Sequence, residues 1–181
     1  MHGRGDVIAN PALGIVDALR PLAERLTPPA AGIRVHYLEV YGDKIGQASR
    51  QYTGGAAVGY RLFDIATFEP ADLDRSLEAI ASWRDTGGQR FYSEDRLVDA
   101  AVRDVIPLTP RLATVNADDL PANIQGMQDF LRSHLTTTLV ALDQQAAGLP
   151  EGIVLRTTDR SRIAKARFKD YERTLGRDTK H

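Results

Sequence analysis

Cysteine is absent from the chain. That excludes a disulfide framework and any thiolate metal site. Lysine is nearly absent: of 23 basic residues only Lys44, Lys165, Lys169 and Lys180 are lysines. Chemistry that needs a lysine has few positions to use. The four histidines, His2, His36, His134 and His181, show no metal-ligand spacing. No apolar run approaches the ~18 to 20 residues of a membrane span, so no membrane partner is expected. Met1 to Asp6 is polar and glycine-rich, without a secretory pattern, and the expected compartment is the cytoplasm. Neither Gly54-Gly55 nor Gly42 with Gly46 is followed by Gly-Lys-Ser/Thr, which excludes a phosphate loop of that type. No internal repeat or low-complexity tract occurs.

The remainder is enough for one folded domain. The chain has 181 residues, 43% hydrophobic and 26% charged. The net charge of −1 argues against a general nucleic-acid binder. Its distribution is uneven, with eight basic and three acidic residues between 160 and 181. Such a tail can approach a phosphate backbone locally, or it can simply be a solvated C-terminus.

The pattern of elements predicts an α+β fold with antiparallel sheets flanked by helices. A helix runs from Pro11 toward Leu26, bent or split at Pro21. Ile33 to Tyr41 and Val58 to Thr67 are rich in β-branched and aromatic residues and read as strands. Gly42 to Gly55 reads as a loop. Pro70 opens a helix with Leu73, Leu77, Ile80 and Trp83 on one face, ending at Gly87-Gly88. Phe91-Tyr92 is a short strand, and Ser93 caps the next helix. Leu112 to Val115 is extended. Asp118 to Leu131 is helical, and the helix is expected to continue from Leu135 to Ala146 despite Thr136-Thr137-Thr138.

The segments with most chemical content are Glu151-Gly-Ile-Val-Leu-Arg156 and Lys165-Ala-Arg167. They read as two strands joined by the polar turn Thr157 to Ser161. Side-chain alternation puts Lys165 and Arg167 on one face. An acid, a lysine and arginines at strand positions suit a phosphate and its metal ion. Solvated charges on a surface hairpin would look the same.

EGIVLR followed by KARF resembles the last two nucleotidyltransferase motifs of the ATP-dependent RNA ligase family, within the superfamily of RNA and DNA ligases and capping enzymes. Leu38-Glu39-Val40-Tyr41-Gly42 resembles the middle motif of that family, and Tyr60-Arg61-Leu62-Phe63-Asp64-Ile65 the one after it. Four segments in order are far more specific than one. The resemblance spans roughly residues 1 to 177, leaving 178–181 as a polar tail. It implies a partial ligase-type adenylation domain, in which packed antiparallel sheets enclose the nucleotide.

The resemblance assigns roles. Glu39 is the middle-motif glutamate, suited to a ribose hydroxyl or a metal-bound water; a solvent-facing strand glutamate is the alternative. Phe63 stacks on adenine, where a flat π-face is needed, or else belongs to the core. Asp64 follows Phe63 and so is expected to point the other way, either supporting the site or capping a turn. Glu151 sits near Mg²⁺ (or Mn²⁺), with Gly152 giving close access to the nucleotide. Lys165, between the small residues Ala164 and Ala166, neutralises the α-phosphate. Arg167 stands where the family more often has a second lysine, and serves as a permanent charge. Arg4, within His2-Gly3-Arg4-Gly5-Asp6, resembles a substrate-binding arginine just after the nucleophile motif.

That nucleophile motif, Lys-x-Asp-Gly or Lys-x-x-Gly, occurs nowhere in the 181 residues. Lys44 follows the middle motif instead of preceding it. The expectation is an N-terminally truncated domain that binds ATP, meets RNA ends (DNA remaining open) and cannot adenylate itself. Activation of a lysine is otherwise provided for. A cation ~4 Å from an amine, at an effective dielectric of ~20, contributes ~4 kcal/mol, or about three pKa units. The alternatives are a non-catalytic nucleotide- or RNA-binding relative, or an inert fragment. Oligomeric state is not legible.

Overall fold

The structure, a computed structural model, describes residues 13–45, 49–146 and 148–178. Arg4 and the segment around it lie outside the described residues. The chain is α+β, with seven helices and five strands in the order α1 (Ile15–Arg25), β1 (Ile33–Gly42), α2 (Ser49–Tyr52), β2 (Val58–Phe68), α3 (Pro70–Leu73), α4 (Leu77–Asp85), β3 (Arg90–Phe91), α5 (Glu94–Arg103), α6 (Ile124–His134), β4 (Gly152–Arg156), β5 (Ile163–Arg167) and α7 (Phe168–Asp178) among the described residues. No helix among them is long and apolar enough to cross a membrane.

β1, β2 and β3 form an antiparallel sheet in that spatial order, and β4 and β5 form a separate antiparallel hairpin. Directly opposed residues of an antiparallel pair share a face. One face of the three-stranded sheet carries Leu38 and Tyr60 along with the fully buried Leu62 and Ile65. The amphipathic helices α1 and α5 supply Leu22, Leu97, Ala100 and Ala101 to the core on that face. On the hairpin, Ile153 and Ala166 point into a second cluster with Met127 and Leu131 of α6 and Phe168 and Tyr171 of α7. Each sheet therefore has one face packed on the core helices and one face bare of them, although Tyr41 and Asp64 on the latter are buried beneath Tyr52 and the hairpin arginines.

Leu62 and Ile65 are three apart, yet both enter the same core. Strict alternation would send them to opposite faces. A β-bulge resolves this: the register steps from Tyr37↔Asp64 to Leu38↔Leu62, leaving Phe63 without an opposite residue.

Several helix expectations are corrected. Pro21 lies inside α1 without breaking it. The helix expected from Pro70 divides into α3 and α4, because Ser76 caps a new start by accepting from the Ala79 N–H. Its expected apolar face does not form, since Leu73 is 55% and Leu77 85% exposed. Asp118 to Leu131 breaks at Pro121 into a 3₁₀ turn, Ala117–Asp119, and α6, which Asn123 caps. The described part of 135–146 contains no helix. Three consecutive β-branched threonines outweigh the apolar spacing there. Ser93 holds the N-cap position of α5 without a side-chain bond, and the Glu94 N–H donates to the Thr158 carbonyl at 2.8 Å. The basic C-terminal stretch comprises the end of the hairpin turn, β5 and α7, which reaches Asp178.

Candidate functional site

The uncovered face of the first sheet is set by β1 and β2. Tyr37, Glu39 and Tyr41 alternate onto it, opposite Asp64, Arg61 and Gly59. Phe63 joins them, its ring 6.1 Å from that of Tyr37. Asp64 raises the pKa of the Tyr37 hydroxyl after burial has already done so, which places it on the same side. The bulge thus turns Phe63 and Asp64 to one face. This corrects the expectation that they diverge, which rested on unbroken alternation.

The uncovered face of the hairpin carries Gly152, Val154 and Arg156 on β4, opposite Arg167, Lys165 and Ile163 on β5. Lys165 is exposed and makes no hydrogen bond or ion pair among the described residues. Its neighbours do not shape a ligand space as expected. Ala166 is 4% exposed and faces α6 and α7, so its small size serves packing. Gly152 is also needed for a different reason than substrate access. A Cβ there would lie 2.1 Å from the Ala166 carbonyl oxygen and 2.7 Å from the Arg167 Cα. Glycine lets β4 and β5 close upon each other where Glu151 begins the hairpin. The Glu151 carbonyl accepts the Phe168 N–H at 3.1 Å, which fixes its backbone. Arg167 is partly engaged, its Nε donating to Asp170 Oδ2 at 2.6 Å.

The two uncovered faces are tied together by an ion network. Arg156 Nη1 donates to the Phe63 carbonyl, freed by the bulge, at 2.8 Å, and lies 3.4 Å from Asp64 Oδ1. Arg160, in the hairpin turn, grips both oxygens of Asp64 with a two-pronged bond, Nε to Oδ1 at 2.7 Å and Nη2 to Oδ2. Its guanidinium also rests 4.9 Å from the Phe91 ring centroid. Arg156 continues to Glu94, and Arg111 holds the other side of that carboxylate at 2.6 Å. Burial alone would raise the Glu94 pKa, but the bonds and charges of Arg111 and Arg156 leave it lowered. Burial, then the charge of Arg111, lowers that of Arg156. Asp64 therefore joins the sheet to the hairpin through Arg156 and Arg160.

Tyr52 packs against one end of the first wall. Its ring lies 4.8 Å from Tyr41. Its hydroxyl pKa is raised by burial first, then by the charges of Glu151 and Glu39. Both carboxylates are thus within electrostatic reach of one phenol. Glu39 and Glu151 are exposed and make no side-chain hydrogen bond among the described residues. The segment bearing Tyr52 is held by 142–145: the Leu142 N–H donates to the Tyr52 carbonyl at 2.7 Å, and Asp143 accepts from Thr53 and from the Gly54 N–H.

Of the expected site residues, Glu39, Phe63 and Asp64 share one wall, and Lys165 and Arg167 share the other, with Glu151 at its edge. The reading from sequence missed Tyr37, Tyr52, Arg61, Glu94 and Arg160. Arg61 had a signal, since antiparallel pairing of the two strands puts it opposite Glu39. Arg160 had none, for it meets Asp64 across 96 positions of sequence. A π-face, two carboxylates and two cations on these faces make a donor set suited to the base, ribose and phosphates of a nucleotide. A family model described as RNA ligase matches residues 1–169, and the chain belongs to the RNA ligase family. Neither curated proteins nor solved structures give a match.

Proposed function

We propose that the domain binds an adenine nucleotide between its two uncovered faces and acts in joining RNA ends through an adenylated intermediate. The observation that carries this is the grip of Arg156 and Arg160, from the hairpin, on Asp64 and the Phe63 carbonyl, which brings the two faces together. Family membership supports the RNA-joining part of the reading.

Phe63 offers an exposed ring edge and face for the purine, braced by Tyr37 behind it. Glu39 is positioned for a ribose hydroxyl. Lys165 presents an uncommitted ammonium to a phosphate. Arg167, oriented by Asp170, adds a guanidinium. The ion network of Asp64, Arg156, Arg160 and Glu94 sets the spacing between the walls.

Among the described residues no group of three or more His, Cys, Asp or Glu gathers for a metal. Two free carboxylates fit Mg²⁺ or Mn²⁺ none the less, since such ions take one or two carboxylates and complete their shell with water and substrate phosphate. Glu151 and Glu39 are the residues that would hold it, and a bound ion would supply charge neutralisation at the phosphates.

Family chemistry has three stages: transfer of AMP from ATP to a lysine with loss of pyrophosphate, transfer of AMP to an RNA 5′-phosphate, and attack of a 3′-hydroxyl with loss of AMP. In the last, the hydroxyl oxygen bonds to phosphorus as the phosphoanhydride bond breaks, and AMP leaves with the electron pair. Lys165 and Arg167 face the oxygens on which charge grows. The first stage is assigned to no residue of the 181, which contain no Lys-x-Asp-Gly. The proposed compartment is the cytoplasm.

Incubation with radiolabelled ATP and Mg²⁺ is expected to give no covalent adduct, and a pre-adenylated RNA is expected to be sealed. A lysine-linked adduct would contradict the first point. No product from folded protein would contradict the second, and would leave a nucleotide- or RNA-binding relative as the better reading.

A further inference from the structure

Three arginines meet on the covered side of β1, away from the two walls. Arg25 ends α1, Arg34 lies near the start of β1, and Arg103 ends α5. With Thr27, Asp104 and Val105 they line a cavity of about 490 Å³. The charge is unbalanced, because Asp104 is the one carboxylate in the lining among the described residues.

Most guanidinium donors there lack a protein acceptor among the described residues. Arg25 uses one on the Val105 carbonyl at 2.8 Å, and Arg34 one on the Thr27 carbonyl at 2.5 Å. Arg103 places two on Asp104, at 2.9 and 3.1 Å. The Arg34 Nε is buried and has no partner among the described residues. His36, two residues along the same strand face, has a side chain only 10% exposed and its Nε2 is likewise unpartnered, 4.0 Å from Asp104. A buried donor without an acceptor, as the Arg34 Nε is, is rare in folded proteins and points to a missing partner. The local potential is positive as well: burial, then Arg34, lowers the His36 pKa, and Arg103 adds to this against Asp104.

The wall of the cavity is strained. Val105 follows α5 with φ +52, a left-handed conformation that a β-branched residue rarely takes. It occupies the position after the C-cap where glycine is usual, with Ile106 N–H donating to the Ala101 carbonyl at 2.8 Å. This conformation turns the Val105 carbonyl to Arg25.

A tetrahedral oxyanion accepts from several guanidinium forks at once, which suits this surplus. We propose that the cavity binds a phosphate group, either as a free ion or as part of an RNA backbone. The volume leaves room for more than the phosphate itself. The proposal does not rest on the nucleotide reading, because no residue of the two walls lines the cavity. β1 is an edge strand, so a strand of RNA can pass around it.

The test titrates the full chain with inorganic phosphate and, separately, with a labelled single-stranded RNA 12-mer. The readouts are the His36 ring NMR signals and fluorescence anisotropy. Arg34→Gln and Arg103→Gln are measured alongside. For an RNA backbone, the RNA moves the His36 signals. Each variant then weakens RNA binding about fivefold and lowers the salt slope by about one, with AMP affinity unchanged. If phosphate alone moves the signals and the variants abolish that, the cavity takes the free ion, which still supports the phosphate chemistry. If neither ligand moves His36 and both variants bind RNA as the parent does, the proposal is overturned. Arg103, 59% exposed, keeps the test valid should Arg34→Gln lower stability.

Discussion

Replacing Asp64 by alanine tests the ion network that joins the two sheets. The side chain of Asp64 is 3% exposed, those of Arg160 and Arg156 8% and 15%. Removing one partner of a buried pair leaves an uncompensated charge, which costs about 3–5 kcal/mol. Arg156 retains Glu94 and the Phe63 carbonyl. Arg160 retains only the Phe91 ring among the described residues, so the loss concentrates there. The lower end, about 3 kcal/mol, is therefore expected. With a urea m-value of about 2 kcal/mol/M, the midpoint moves down by about 1.5 M. Far-UV circular dichroism and the fluorescence of the single tryptophan, Trp83, report the transition. Adding Arg160→Met to Asp64→Ala removes the orphaned charge and is expected to restore most of the loss. A cost under about 1 kcal/mol, or strict additivity in the double variant, would refute the reasoning.

Gly152→Ala forces a Cβ against the β5 backbone and is expected to cost about 2 kcal/mol or more, read as early loss of hydrogen-exchange protection in 152–167. Val105→Gly relieves a left-handed valine that is 72% exposed, so little apolar burial is lost, and is expected to raise stability by about 1 kcal/mol in thermal unfolding. Stability is expected to fall with acid in two stages. His36 is lowered in the fold, so its contribution is complete above pH 6.5 and is lost as pH falls through its depressed folded value. Glu94, Asp72, Asp104 and Asp143 are also lowered, and Asp159 reaches about 2 because its carboxylate accepts from Thr157 and Ser161. Their contributions are present above about pH 4 and decline below it. Denaturation midpoints from pH 7 to 2 check both, with His36→Gln removing the first stage.

The strands were legible because β-branched and aromatic residues alternate in them, and motif order pointed to the proposed site positions Glu39, Phe63, Glu151 and Lys165. What was hidden is long-range. The bulge at Phe63 has no signature in a strand that alternates plausibly on either side of it. It decides which way Asp64 points. The Arg160 and Glu94 contacts join residues far apart in the chain, and nothing local marks them. Helix ends were misread where a cap competed with periodicity, as at Ser76, or where β-branching outweighed it, as at Thr136 to Thr138. Gly152 was read as access for a ligand, but it is required by the neighbouring backbone. The basic cavity escaped notice because Arg25, Arg34 and Arg103 lie on three separate elements.

The central claim is that the uncovered faces of the sheet and the hairpin form one nucleotide pocket. Isothermal titration of AMP and ATP with Mg²⁺ into the parent chain, Phe63→Ala, Lys165→Ala and the control Lys169→Ala tests it directly. The account predicts binding by the parent, losses of about tenfold or more from Phe63→Ala and from Lys165→Ala, and no change from Lys169→Ala. Stacking on a base is worth about 1–3 kcal/mol, which sets that expectation for Phe63. Equal affinity in the Phe63 and Lys165 variants, or no binding by the folded parent at millimolar nucleotide, would contradict it.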